Sequence, residues 1–229
     1  MIKALAIDID GTITFRDRQL DTEAVTAIRR AEEADLPVIL ATGNVLCFAE
    51  AASVLLGTSG PLIAEDGGVV YDNSSNQEHI LGSVEEVDKG IKIIEEELSV
   101  VKHTRSSDMR RTGRTLERTF DPSDATKIFQ RERLNLVAID SGFAIHVKNP
   151  EVNKGVALQK AATLLKIKTS DIAAIGDAQN DIEMLETAGV GFALDNSHPD
   201  IKKTADHVLS QSHGAGVKTA VERIIQSKE

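Results

Sequence analysis

The length, composition and charge of the chain limit the kinds of protein it can be. Its 229 residues are enough for one large domain or for a core with a smaller second lobe. A formal net charge of −10 argues against nucleic acid as a partner, and the apolar runs are too short to cross a bilayer, so no membrane partner is expected.

The cysteine content and the N-terminal sequence indicate the cellular setting. Cys47 is the single cysteine, so no disulfide can form within the chain and no thiolate zinc cluster can be built. We expect Cys47 to be a small buried apolar side chain. Carboxylates interrupt the apolar start of the chain and no small-residue cleavage site follows, so a signal peptide is not expected. We therefore expect a cytoplasmic location.

Short apolar runs alternate with helical patterns in the first part of the chain. The strand-like runs are Ala4–Ile9, Pro37–Ala41, Leu62–Ala64 and Val69–Tyr71. The helical patterns are Thr22–Ala34 and Val45–Leu56. Apolar runs of this kind, separated by helices, predict parallel strands that are buried on both faces.

The segment from residue 82 to residue 149 has a different pattern. A helix is predicted over Ser83–Leu98, with Ser83 as its N-cap and Glu86 completing a capping box. Two alternating runs joined by Asp140-Ser141-Gly142 predict a β-hairpin. A strand over Arg114–Phe120 and a helix over Pro122–Arg133 are also predicted. We therefore expect residues 82–149 to form a small α+β lobe, inserted into a core made of residues 1–81 and 150–229.

The strand–helix alternation returns after this lobe. Helices are predicted over Lys154–Leu165, Ile182–Thr187 and Val217–Ile225, and strands over Ile172–Ile175 and Val190–Leu194. The GAGVKT run at 214–219 is interpreted as the opening of the last helix, because no strand precedes it as a dinucleotide loop requires. The predicted fold class is α/β, with a Rossmann-like parallel sheet and helices on both of its faces.

Two pairs of carboxylates follow predicted strands. Asp8 and Asp10 end the first strand and point to one face, while Asp177 and Asp181 follow Ile172–Ile175 and would share one face of a helix. Carboxyl ends of parallel strands meet at one edge of a sheet, and oxygen ligands there suit Mg²⁺. Taken singly, the first pair could be a turn and Asp177 could be a helix cap.

Four motifs together resemble those of the haloacid dehalogenase superfamily of phosphatases. They are Asp8-Ile9-Asp10-Gly11-Thr12, Ala41-Thr42-Gly43-Asn44, Lys154, and Gly176-Asp177-Ala178-Gln179-Asn180-Asp181. The resemblance implies that Asp8 attacks phosphorus, that Asp10 protonates the leaving oxygen and then deprotonates water, and that Lys154 offsets negative charge. It implies Mg²⁺ as cofactor, with these ligands: Asp8, the backbone carbonyl of Asp10, Asp177 and Asp181. Substrate-binding roles are implied for Thr42, Gly43, Asn44, Lys154 and Asn180, the last of which would orient Lys154 or an aspartate.

Within that superfamily, the inserted lobe resembles a C2-type cap, and the chain is most similar to archaeal phosphoglycolate phosphatases. The resemblance implies a small anionic phosphate ester as partner, with hydrolysis of 2-phosphoglycolate to glycolate and phosphate. A basic run supports this substrate, although it could also be a solvated edge strand. Its cationic members are Lys102, Arg105, Arg110, Arg111, Arg114 and Arg118.

Other interpretations of the same residues stay open. A sugar-phosphate phosphatase or a phosphomutase of similar fold would use the same nucleophile, and a phospho-receiver would be phosphorylated on Asp8 without turnover. Receivers carry no cap and would have no use for Asp10, so hydrolysis is favoured. Asp66 stands where many similar proteins have asparagine, and the sequence assigns it no role. A monomer and a homodimer are both compatible with the sequence.

Overall fold

The structure, a computed structural model, describes residues 1–227 and divides into two compact units. Met1–His79 and the chain from Asn153 onward form the first unit, and Ile80–Val152 form the second. In chain order the strands are β1 (Ala4–Asp8), β2 (Val38–Ala41), β3 (Leu62–Ala64), β4 (Val69–Asp72), β5 (Gln77–Ile80), β6 (Arg114–Leu116), β7 (Val137–Asp140), β8 (Ile145–Lys148), β9 (Ile172–Gly176), β10 (Val190–Ala193) and β11 (His207–Val208). The helices are α1 (Thr22–Glu33), α2 (Leu46–Leu56), α3 (Val84–Glu97), α4 (Pro122–Arg131), α5 (Lys154–Leu164), α6 (Ile182–Thr187), α7 (Pro199–Thr204) and α8 (His213–Gln226).

The first unit is built on an eight-stranded sheet with the order β11-β10-β9-β1-β2-β3-β4-β5. β1 lies between β2 and β9 and pairs with both in parallel, with Asp8 opposite Ala41. Its five residues are all buried, which explains their uniformly apolar character up to the final aspartate. The predicted α/β class with a mainly parallel sheet is thus confirmed.

The orientation of β4 differs from the prediction. We expected Val69–Tyr71 to form a parallel strand, but β4 runs antiparallel to β3, with Ile63 opposite Val70. Only a short 3₁₀ turn at Glu65–Gly67 joins these two strands. A parallel connection needs a crossover of a dozen or more residues, so a turn of this length forces the antiparallel arrangement.

Helices cover the sheet of the first unit and supply most of its core. α1 packs against α8, and their apolar side chains join Leu5 and Ile7 of β1 in one buried cluster. Burying each side chain of this size contributes about 1.5–3 kcal/mol. Asp21 caps α1 by accepting a hydrogen bond of 2.9 Å from the amide of Glu23, which fixes where this helix begins.

The second unit combines a three-stranded antiparallel sheet, in the order β6-β8-β7, with α3 and α4. Its apolar cluster includes Ile91 of α3, Phe129 of α4 and Val147 of β8. The predicted hairpin is present, because β7 and β8 pair antiparallel on either side of Ser141 and Gly142.

The capping box predicted at the start of α3 is only half formed. The hydroxyl of Ser83 accepts from the amide of Glu86 at 3.3 Å, as expected. The Glu86 carboxylate instead accepts from the amide of Asn135 and from Nδ2 of Asn149, both at 2.9 Å. Asn149 Oδ1 takes over the missing contact by accepting from the Ser83 amide at 2.8 Å. A tertiary partner has therefore replaced the local one.

The prediction for Cys47 is wrong, because its side chain is exposed on α2. This helix is apolar on nearly all sides, so periodicity does not show which side is buried. The residues that face inward are Ala49, Ser53 and Leu56.

The sequence interpretation also omitted the short elements β5, α7 and β11. Among the described residues, no helix has the length and apolar character needed to span a membrane.

Candidate active site

Three loops meet where β1 and its two neighbours end. The Asp8 side chain is buried at the end of β1, and the amide of Ile9 donates to the carbonyl of Ala41 at 3.1 Å. On the other side, Ile175 of β9 lies opposite Ile7, and the chain leaves that strand at Gly176 into Asp177. Parallel pairing with both neighbours thus brings three of the four motifs to one edge of the sheet.

Lys154 is the remaining motif, the third in chain order, and lies fully buried at the first residue of α5. Its Nζ donates to Asp8 Oδ1 and to Asp181 Oδ1, each at 2.6 Å. An ammonium group without partners would be very costly to bury, so these two carboxylates account for its position. Asn153 fixes the start of α5 by accepting from the amide of Val156 at 2.9 Å.

The spacing predicted that Asp177 and Asp181 would share one face of an α-helix. The structure shows that they do not. Asp181 ends a 3₁₀ turn over Gln179–Asp181, and α6 begins at the next residue. Its Oδ2 accepts from the amides of Asp177 at 3.1 Å and Ala178 at 3.0 Å, which folds this loop around the carboxylate. Asp177 Oδ1 accepts from Thr12 Oγ1 at 2.9 Å, so the first and fourth motifs are in contact.

The carboxylates of this edge have the composition of a site for a hard divalent cation. One oxygen from each of Asp8, Asp177 and Asp181 lies within 4.8 Å of the others. Within residues 1–227, the buried Asp8 Oδ2 has no hydrogen-bond partner. Gly11 has a φ of +94°, and a Cβ there would lie 2.4 Å from Asp177 Oδ2, so a side chain would displace this carboxylate. An all-oxygen donor set of this kind fits Mg²⁺ or a similar ion.

Mutual repulsion and burial perturb the ionisation of these groups. Burial and the charges of Asp181 and Asp177 raise the pKa of Asp8 well above its usual value, although Lys154 opposes them. Burial and Asp181 raise the pKa of Asp177 to about 6. For Lys154, burial alone would lower the pKa, but Asp181, Asp8 and Asp66 outweigh it and raise the pKa above its usual value. The lysine stays charged, and Asp8 and Asp177 need further positive charge to ionise fully.

The side chain of Asp10 points into a second group of polar residues. Its Oδ2 accepts from Asn44 Nδ2 at 2.6 Å and from Thr42 Oγ1 at 3.2 Å, while Oδ1 forms an ion pair with Arg18 Nη2 at 3.0 Å. The Asn44 amide donates to Thr42 Oγ1 at 3.0 Å. The predicted substrate-binding residues Thr42 and Asn44 therefore contact the predicted acid/base directly.

The structure also assigns partners to Asn180 and Gly43. Asn180 Nδ2 donates to Asp66 Oδ1 at 2.8 Å. The aspartate that Asn180 contacts is therefore one to which the sequence assigns no role. The backbone of Gly43 approaches the same carboxylate, since a Cβ there would lie 2.9 Å from Asp66 Oδ1. Asp66 is buried and has a φ of +56°, an uncommon conformation for a non-glycine residue.

Sequence reasoning missed three further residues at this edge. Arg18 belongs to none of the four motifs. Asn196 Nδ2 donates to the carbonyl of Gly11 at 2.9 Å, and His213 Nδ1 lies 2.8 Å from the same oxygen. Because that oxygen can only accept, His213 Nδ1 is the donor in this contact. The residues come from distant parts of the chain, so no local pattern could have revealed them.

Comparisons with known proteins agree with this architecture. The sequence pattern of a family described as haloacid dehalogenase-like hydrolase matches residues 5–104 and 116–221. The phosphoglycolate phosphatase of Methanothermobacter thermautotrophicus is 41% identical over 224 residues, covering 98% of this chain and 99% of that protein. The phosphoglycolate phosphatase of Methanosarcina mazei is 40% identical over 223 residues, covering 96% of this chain and 95% of that protein. The crystal structure of protein 0175 of Thermoplasma acidophilum has a TM-score of 0.87 at 28% identity, covering 97% of this chain and 98% of that one.

The chain therefore belongs to the haloacid dehalogenase-like hydrolase family. Its family and its near full-length relatives make it an enzyme of the phosphatase class. The resemblance inferred from the four motifs is confirmed.

Proposed function

We propose that this enzyme hydrolyses 2-phosphoglycolate to glycolate and phosphate, with Asp8 as nucleophile and Mg²⁺ as cofactor. The observation that carries the proposal is the setting of Asp8. Its carboxylate lies 2.6 Å from the buried Lys154 ammonium and within 4.8 Å of oxygens of Asp177 and Asp181. The substrate is proposed from the name shared by the two relatives of about 40% identity.

In the first step, a carboxylate oxygen of Asp8 forms a bond to phosphorus, and the bond from phosphorus to the leaving oxygen breaks. Asp10 donates its proton to the leaving oxygen, which departs as the hydroxyl of glycolate. Asn44 and Thr42 hold the Asp10 carboxylate through the contacts at 2.6 and 3.2 Å, so its direction is fixed before substrate binds. The phosphoryl group is then carried on Asp8 as an aspartyl-phosphate.

In the second step, Asp10 takes a proton from a water molecule as the water oxygen bonds to phosphorus. The bond between phosphorus and Asp8 breaks, which releases phosphate and regenerates the carboxylate. Lys154 remains protonated in both steps, because Asp181, Asp8 and Asp66 favour its charged form, and it offsets charge that develops on the transferring group.

Asp8, Asp177 and Asp181, with the backbone carbonyl of Asp10, would hold Mg²⁺. When bound, the ion supplies charge that lets an anionic nucleophile approach a phosphate dianion. Thr42, Gly43 and Asn44 would bind phosphate oxygens, together with Lys154. Asn180 would act through Asp66, to which it donates at 2.8 Å, because this contact ties the fourth motif to the turn between β3 and β4.

We further propose that the unit Ile80–Val152 is the cap of the family and that the enzyme works in the cytoplasm. The basic run of this unit is partly neutralised internally. Arg114 Nε forms an ion pair with Asp88 at 2.8 Å, and Arg118 Nη2 forms one with Asp140 at 2.9 Å. These two arginines are therefore less suited to substrate binding than the sequence suggested.

The test is phosphate release by the purified full-length chain, after treatment with EDTA and addition of Mg²⁺. We expect turnover of 2-phosphoglycolate that exceeds turnover of neutral sugar phosphates, and a phosphorylated Asp8 peptide in acid-quenched samples. Release from sugar phosphates but not from 2-phosphoglycolate would refute the proposed substrate. Phosphate transfer to a second sugar phosphate, without net release, would instead indicate a mutase.

A further inference from the structure

Arg18 lies in the loop between β1 and α1 and is held against Asp10 by three contacts. Its Nη2 lies 3.0 Å from Asp10 Oδ1 and donates to Asn44 Oδ1 at 3.3 Å. The guanidinium also lies over the ring of Phe48, with Cζ 5.5 Å from the ring centroid. A bridge between Thr14 and Leu20 closes the loop and brings Arg18 back towards the end of β1.

These contacts occupy only one corner of the guanidinium. Both polar contacts use Nη2, and within residues 1–227 the Arg18 side chain has no other hydrogen bond or ion pair. The side chain is 54% exposed, and both polar contacts use Nη2, so Nε and Nη1 are the donors left for a ligand. Nη2 belongs to both bidentate edges of the guanidinium, so a ligand carboxylate would accept a single charge-assisted hydrogen bond, from Nε or from Nη1.

We infer that Arg18 binds the carboxylate of the leaving group and thereby determines specificity for phosphate esters with an acidic leaving group. The inference rests on the proposed function, in which Asp10 protonates the leaving oxygen and must approach it to hydrogen-bond distance. In 2-phosphoglycolate a single CH₂ group separates that oxygen from the carboxylate. A guanidinium nitrogen 3.0 Å from Asp10 is therefore within reach of the carboxylate.

The charge of the surroundings makes this contact selective. Asp8, Asp10, Asp177 and Asp181 would repel an additional anionic group, and Lys154 is already engaged by two of them. Arg18 is the cation that contacts the predicted acid/base. A neutral hydroxyl at the same place would accept a hydrogen bond from the charged guanidinium, whereas a carboxylate would gain in addition the attraction between two opposite charges.

The test compares kcat/KM for 2-phosphoglycolate with kcat/KM for 2-hydroxyethyl phosphate, in which a neutral CH₂OH replaces the carboxylate. For Arg18→Gln we expect the ratio of the two values to fall by about 10- to 100-fold, mainly through KM for 2-phosphoglycolate. Arg18→Lys should restore part of the ratio, because it keeps the charge but cannot hold a donor in place through the contacts that the guanidinium makes. Arg16→Gln, which removes the same charge from an exposed position of the same loop, should keep the wild-type ratio.

Equal losses on both substrates in Arg18→Gln, with a shifted pH profile for each, would overturn the inference, because Arg18 would then act only through Asp10. An unchanged ratio would overturn it as well. These results differ from failure of the proposed function, in which the wild-type enzyme itself would release phosphate from other esters and none from 2-phosphoglycolate.

Discussion

Asp177 provides a test of the electrostatics of the carboxylate site. Burial and Asp181 raise its pKa from 3.8 to about 6, so the folded protein holds this proton more tightly than the unfolded chain does. The resulting stabilisation is fully present below pH 3.8 and is lost as the pH rises through 6. A shift of this size corresponds to at most about 3 kcal/mol of unfolding free energy, or roughly 6–12 °C in Tm for a chain of this length.

The perturbation is Asp177→Asn, which removes the charge and keeps an oxygen that can accept from Thr12. In EDTA, the Tm of the variant minus that of the wild type should be near zero at pH 4. It should rise to several degrees by pH 7.5, because only the wild type then carries the repelled charge. Thermal unfolding across this pH range measures the difference. Glu33→Gln, at an exposed carboxylate on α1, is the control. Its curve of Tm against pH should run nearly parallel to that of the wild type.

Mg²⁺ extends the same experiment. The ion and the proton compete for the same carboxylates, so Mg²⁺ should raise the wild-type Tm more at pH 7.5 than at pH 5. Asp177→Asn should lose most of this increase. Variant and wild-type curves that stay parallel in EDTA across the whole range would refute the electrostatic reasoning, whatever the effect of Mg²⁺.

Three other substitutions test individual contacts. Asp8→Asn should lower phosphate release by at least about 10³-fold in a turnover assay while preserving Tm in EDTA, because the amide keeps an acceptor for Lys154 and removes a repelled charge. Lys154→Met should lower the unfolding free energy by about 3–5 kcal/mol in urea titrations, since it leaves Asp8 and Asp181 buried without their counter-charge. Asp66→Ala should be about 1–2 kcal/mol less stable than Asp66→Asn in the same titrations, because alanine loses the contact to Asn180 and tolerates a positive φ poorly; equal stabilities would contradict this account.

Whether the sequence predicts a given site residue depends on the structural element that places this residue in the site. Asp8 and Asp177 could be placed together because each follows a buried strand, and parallel strands end at a common edge. Lys154 begins a helix, and nothing in its spacing shows that the helix starts against Asp8; only resemblance to a family assigned it a role. Arg18 and Asp66 were beyond local patterns, because their positions depend on a closed loop and on a turn with positive φ.

The fold shows the same limit. Apolar runs and helical periodicity predicted the long elements well, because burial of one or both faces determines the spacing of apolar residues along the sequence. The orientation of β4 depends on the turn at Glu65–Gly67 rather than on the strand itself, and the exposure of Cys47 depends on what covers α2. The first property depends on the adjacent connection and the second on packing by other parts of the chain, so the composition and period of the segment itself do not reveal either one.

The location of positive charge explains how a chain with a net charge of −10 can bind an anionic substrate. The local field at the carboxyl edge of the sheet matters more than the total, since exposed charges beyond about 8 Å are largely screened at physiological salt. Lys154 lies against the proposed nucleophile and Arg18 against the proposed acid/base, at 2.6 and 3.0 Å. In the proposed reaction, the two cations would flank the path from phosphorus to the leaving group. In the proposed reaction, Lys154 and the metal ion serve the phosphoryl group common to all substrates, and Arg18 serves the part that differs between them. Chemistry and specificity then depend on different cations, so loss of the Arg18 charge should alter substrate preference while the mechanism at Asp8 is retained.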